Sequence, residues 1–141
     1  MCAAEMKMPG MASELIMDLR GTLEWLKQEG DLMETDHPVD PDIELTAIQK
    51  NMDGSCPILF NNVKGKPNHR AVTNLFGDMN VVNKMFGWTD DVDRTKKLSY
   101  ALDHPLPPVE IGQDEAPCQE LVIEDPVNVN DYIIPIRHTE Y

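Results

Sequence analysis

The sequence predicts an α/β (α+β) domain, a small mixed sheet with a central hairpin flanked by about four helices, and three observations carry that reading. Residues 57–77, PILFNNVKGKPNHRAVTNLFG, hold two short apolar runs around a turn rich in Gly and Pro. Several stretches repeat apolar residues at helical spacing between an acidic cap and a Gly or Pro stop. Between the first two of them, a short segment alternates apolar and polar residues, as an edge strand does.

Taken in order, residues 1–13 contain Met1, Met6, Met8 and Met11 with a Pro and a Gly and no clean period, and residues 1–17 are expected to be a mobile leader without function. Asp18 is a suitable N-cap for a first helix in which Leu19, Leu23 and Leu26 recur beside Trp25, and Gly30 offers the left-handed stop. Leu32 to Asp36 then reads as an edge strand whose acidic residues deter pairing with other chains. Asp40 followed by Pro41 predicts the start of a second helix, with Ile43, Ala47 and Ile48 on its inner face and an end near Asp53 and Gly54.

Ile58-Leu59-Phe60 is too continuous for a half-wet strand and too short for a helix, so a strand covered on both faces is expected. Lys64 to Asn68 supplies a five-residue turn, and Arg70 to Asn74 returns as the second arm of a hairpin, with Leu75 and Phe76 following. Asp78 caps a third helix bearing Val81, Val82, Met85 and Phe86 up to Gly87. Thr89 or Asp90 caps a fourth, in which Val92, Thr95, Leu98 and Leu102 keep the period until His104 and Pro105 end it.

The division that follows is an N-terminal α/β domain over residues 18–104, a Pro-rich linker over 105–117, and in 118–141 the truncated start of a following domain. Apolar runs at Cys118 to Ile123 and Tyr132 to Ile136 read as strands there, the second with no amphipathic partner after it.

Charge and composition bound the function. The 141 residues carry 12 basic and 25 acidic side chains, a net charge of -13, which repels nucleic acid and anionic membranes. No run approaches the ~18 apolar residues of a membrane span. Without a secretory core in residues 1–10, a cytoplasmic location is expected. Cys2, Cys56 and Cys118 are odd in number and far apart, which encodes neither a disulfide framework nor a C-x-x-C site.

Candidate chemistry is sparse. His37, His69, His104 and His138 lack the mutual spacing of metal ligands, so solvated or capping roles are favoured, with His138 open to completion by sequence elsewhere. Asp90-Asp91 and Glu124-Asp125 suit caps and solvent better than an acid/base pair, which needs a cleft to separate the two pKa values. Lys64, Lys66 and Arg70 around Gly65 can hold an anion, yet the loop lacks the phosphate-binding pattern, and a basic hairpin tip is the better reading. Cys118 has no neighbour to activate it and is expected buried and inert. Trp25 and Trp88 accompany apolar stripes and are assigned to core packing.

The pattern as a whole carries a likeness. Asp18-Leu19-Arg20-Gly21 with Leu23, Leu26 and Glu29-Gly30, then Val39-Asp40-Pro41 with Glu44, then residues 57–65, Asn74-Leu75-Phe76-Gly77 and Ala116-Pro117-Cys118-Gln119-Glu120 resemble, in order and spacing, the N-terminal part of UbiD-family decarboxylases. Residues 34–41, ETDHPVDP, look closer to the hydroxyarylic acid branch, which handles acids such as protocatechuate or gallate.

That resemblance implies reversible, non-oxidative decarboxylation of an aromatic or α,β-unsaturated acid with prenylated FMN, manganese and potassium. The flavin takes up the electrons left when carbon dioxide departs, and the protein places it. A flavin prenyltransferase supplies the cofactor, and the full-length enzyme is expected to be a homo-oligomer. In the family the catalytic and metal-binding residues lie on a domain after the segment seen here. No catalytic, cofactor-binding or metal residue is therefore carried over to any position, and the chain alone is expected to be inactive. Two other readings stay open: a non-catalytic accessory subunit completing a split decarboxylase, and a small acidic binding domain.

Overall fold

The computed structural model describes residues 18–124 and 126–137. Its regular elements are α1 (Leu19–Glu29), β1 (Met33–Thr35), α2 (Glu44–Asn51), β2 (Ile58–Phe60), β3 (Ala71–Thr73), α3 (Met79–Phe86) and α4 (Asp91–Asp103). Three single 3-10 turns follow at Gln113–Glu115, Pro117–Gln119 and Val129–Asp131. The leader expected at residues 1–17 lies outside the described residues, as do Asp125 and His138.

The sheet has the order β1-β2-β3, so the apolar run at Ile58 is its centre. β1 runs parallel to β2, with Met33 opposite Ile58, and β2 runs antiparallel to β3, with Leu59 opposite Val72. A parallel pair needs a crossover, and α2 supplies it. The hairpin loop is longer than expected, spanning residues 61–70. Val63 leaves the β2 ladder to bridge Val39 on one side and Lys66 on the other, which narrows the tight turn to Lys64 and Gly65. Gly65 takes φ +75° there, a region that favours Gly.

Alternation along β2 sends Ile58 and Phe60 to one face and Leu59 to the other. Ile58 and Phe60 pack with Val39, Leu45, Val63 and Ala71, and Ile48 and Met52 close that side from α2 and the residue after it. A second cluster joins Trp25 and Leu26 of α1 to Val81 and Met85 of α3, with Leu32 and Leu75 at its margin. Leu59, on the opposite face from Ile58, is 4% exposed, so β2 is covered on both faces as its composition predicts.

Local chemistry sets the helix ends. Asp18 accepts a hydrogen bond from the Gly21 N–H at 2.7 Å, and Gly30 closes α1 at φ +77° with its N–H directed to the carbonyls of Leu26 and Lys27. Asp78 accepts from Asn80 N–H at 2.8 Å at the head of α3. Asp90 caps α4 through Asp93 N–H at 2.8 Å, and Asp93 accepts in return from Thr89 N–H at 3.0 Å.

Three expectations are corrected. α2 begins at Glu44 and not at Pro41, and its inner face is Leu45, Ile48 and Met52, leaving Ile43 and Ala47 exposed. In α4 the period is right but no residue is buried: Val92, Leu98 and Leu102 face solvent. Residues 118–123 and 132–136 form no strand, and in the second run Pro135 has no N–H for a ladder. Leu75 packs at the margin of the second cluster, and Phe76 is 60% exposed. Among the described residues, no helix is long and apolar enough to cross a membrane.

Candidate functional site

α1 carries a second face besides its buried one. Arg20, Leu23, Glu24 and Lys27 fall at i, i+3, i+4 and i+7 and overhang the sheet beside Leu32, Glu34, Leu59 and Arg70. Together they line a hollow of about 150 Å³ with an apolar floor and a charged rim. Lys27 Nζ lies 2.8 Å from Glu34 Oε1 across it. This hydrogen bond and the attraction of the two charges raise the Lys27 pKa above its ordinary value; the bond to Lys27 likewise holds the Glu34 carboxyl below its own. With three cations against two carboxylates on a strongly acidic chain, the hollow suits a carboxylate-sized group. No Ser, Thr, Cys or His lines it. The sequence reading missed it because its residues come from three elements, although the spacing of Arg20, Glu24 and Lys27 was there to see.

A larger hollow, about 440 Å³, is formed by residues 113–120, with Asp114, Glu115 and Glu120 on its wall. Those carboxylates repel a phosphate. The smaller hollow falls below the ~300 Å³ at which cofactor pockets begin. Among the described residues, no three of His, Cys, Asp and Glu converge as metal ligands. By themselves these residues do not fit a flavin mononucleotide or its metal.

The residues singled out in the sequence are dispersed. His37 is exposed after β1, and His104 stacks on Tyr100 with ring centroids 4.0 Å apart at the end of α4. His69 is half-buried behind the hairpin turn, and its Nδ1 is buried without a hydrogen-bond partner among the described residues. Asp90 caps α4, Asp91 pairs with Arg94 at 3.1 Å, and Glu124 is exposed. The three cations of the hairpin tip part company: Lys64 pairs with Glu44 at 3.3 Å, Lys66 reaches the Asn130 carbonyl, and Arg70 lines the smaller hollow. Cys118, expected buried, is exposed, because the 3-10 turn that replaces its strand lies on the surface. Trp25 is core, and Trp88 stacks on Phe86 at 4.7 Å.

Fold and sequence can now be set beside known proteins. The family model of the 3-octaprenyl-4-hydroxybenzoate carboxy-lyase N-terminal domain matches residues 23–102, more than half of the chain. This chain belongs to the UbiD family. Phenolic acid decarboxylase of Sedimentibacter hydroxybenzoicus is 31% identical to it over 133 residues, which cover 88% of this chain and 27% of the relative. Gallate decarboxylase of Lactiplantibacillus plantarum is 31% identical over 116 residues, 74% of this chain and 24% of the relative. An evolved dimeric form of the UbiD-class enzyme HmfF from Pelotomaculum thermopropionicum, solved in complex with prFMN, superposes with a TM-score of 0.71 at 28% identity, over 86% of this chain and 28% of HmfF. The UbiD-family chain thus spans about a quarter of the length of these relatives, and the matched quarter is the N-terminal α/β fold described above.

Proposed function

We propose that this chain is the scaffold portion of a UbiD-class decarboxylase that removes carbon dioxide reversibly, without oxidation, from a hydroxyaryl acid of the protocatechuate or gallate kind. The observation that carries the reading is the superposition of nearly the whole chain on one quarter of an enzyme that holds prFMN. Relatives named for phenolic acids and gallate favour an aromatic substrate. The cofactor is prenylated FMN, loaded by a flavin prenyltransferase, with manganese and potassium beside its phosphate. All three are held by residues that correspond to the other three quarters of the relatives. The working enzyme is a cytoplasmic homo-oligomer.

What this portion contributes is a surface. From α4 onward the chain presents Leu98, Leu102, Leu106, Val109 and Ile111 to solvent, an apolar tract that no described residue covers. Residues 18–104 are the folded domain, residues 105–117 the linker, and residues 118–141 the start of the cofactor domain. In this arrangement the tract is the face on which that domain docks, and docking shapes the approach to the flavin.

The test is a chimera in which residues 18–137 replace the matching N-terminal quarter of the gallate decarboxylase, supplied with prenylated FMN. Carbon dioxide release from gallate by the chimera, and none by the present chain alone, is the expected result. A folded chimera that binds the flavin but does not decarboxylate overturns the reading, as does release by the present chain unaided. Activity on mixing the two pieces as separate chains assigns the role of an accessory subunit instead.

A further inference from the structure

The junction before α2 is where sequence and structure disagree most sharply, and the disagreement has a definite pattern of hydrogen bonds. Asp40 Oδ1 accepts from Asp42 N–H at 2.9 Å, the bond an N-cap makes two residues on, although the cap position of α2 itself falls on Ile43. Pro41 stands where the sequence predicts the first helical position, but it lies in a turn three residues before α2 begins. The helix nevertheless fails to run on. Ile43 sits at φ +73° and ψ -46°, the centre of a γ-turn closed by Glu44 N–H on the Asp42 carbonyl at 2.9 Å. A β-branched side chain at positive φ is a genuine outlier, held only when its surroundings insist.

Those surroundings are the C-terminal strap. Arg137 N–H donates to the Pro41 carbonyl at 3.2 Å, and Ile43 N–H donates to the Arg137 carbonyl at 3.2 Å, a parallel bridge centred on Asp42. Thr46 Oγ1 also donates to the Arg137 carbonyl at 3.1 Å, and the Arg137 guanidinium pairs with the Asp42 carboxylate. Ile134, three residues earlier, packs on the Ile58 and Phe60 side of the core. In a continuous helix the Pro41 carbonyl would receive Leu45 N–H. Here the strap has taken that carbonyl, and Leu45 N–H reaches back one residue further, to Asp40 at 3.0 Å.

We propose that strap and helix compete for the Pro41 carbonyl, so that α2 has two lengths: it starts at Glu44 with the strap docked and at Pro41 with the strap released. On release, Leu45 N–H moves to Pro41 and Glu44 N–H to Asp40, Ile43 relaxes to helical φ, and the Asp40 cap is already in place. The elbow therefore converts a pull on residues beyond Arg137 into one added turn on α2, the helix that roofs the Ile58 face of the core. Its occupant is a segment of this same chain.

Two variants of the full 141-residue chain test this by NMR. Arg137→Pro removes the donor to Pro41; helical i,i+3 contacts from Pro41 to Glu44 and from Asp42 to Leu45 are expected to appear, while the methyl signals of Leu26 and Val81 stay put as a check on folding. If the γ-turn at Ile43 persists, or residues 41–43 turn random-coil, the competition does not exist. Ile43→Gly keeps the strap but removes the cost of positive φ. Exchange of the Arg137 amide is then expected to slow about tenfold, the factor that corresponds to relieving one left-handed residue. Unchanged or faster exchange overturns the proposal.

Discussion

Glu44 joins the elbow to the hairpin tip through one carboxylate. Its Oε2 accepts the Asp40 N–H at 2.7 Å and lies 3.3 Å from Lys64 Nζ. The backbone bond to Asp40 comes first and the Lys64 ammonium second in holding its carboxyl below the ordinary value of 4.5. A carboxyl whose folded pKa is depressed stabilises the fold fully above its unfolded value and loses that contribution as pH falls through the folded one. The elbow is therefore expected to loosen in acid, below the usual Glu range and not at neutral pH. Carboxyl titration followed by NMR checks it: Lys64→Met should move the Glu44 midpoint upward only part of the way, since the Asp40 bond remains. A midpoint that returns fully to the ordinary value would make Lys64 the whole cause.

Helix ends were the features most legible in the sequence, because a cap is a contract among neighbours in the chain. Asp18, Asp78 and Asp90 cap, and Gly30 and Gly87 stop, where the residue types say. β2 was legible for a similar reason, its three apolar residues leaving no face for water. What escaped was set by distant partners. Ile43 takes its conformation from Arg137, the hollow under α1 is assembled from three elements, and the apolar runs after residue 117 carry no local mark of whether a sheet edge awaits them. α4 is the instructive middle case, since its period and cap were read correctly while its burial was not. With none of its own residues buried, α4 depends on its cap more than its neighbours do. Asp90→Ala is expected to cost α4 about 1 kcal/mol, seen as roughly fivefold faster amide exchange from Arg94 to Tyr100. The thermal midpoint of the two core clusters should barely move. A matching drop in that midpoint would show that α4 is built into the core after all.

At the scale of the whole molecule two tendencies oppose each other. A net charge of -13 keeps copies of the chain apart, while the uncovered tract running from α4 into residues 105–111 draws apolar surfaces together. Charge repulsion is screened by salt and apolar attraction is not, so self-association of the isolated chain should rise with ionic strength. Replacing Leu98 and Leu102 by Lys separates the causes. Leu98 is 48% exposed and Leu102 81% exposed, so little buried area is lost, and cations at the C-terminal end of a helix favour its dipole. The thermal midpoint should therefore stay within the shift that about 0.5 kcal/mol produces, while the salt-dependent association seen by sedimentation disappears. The same pair of substitutions in the gallate decarboxylase chimera should weaken the grip of the α/β domain on the cofactor domain and lower carbon dioxide release. If association vanishes and the chimera keeps full activity, the tract is merely sticky, and the docking face lies elsewhere on the domain.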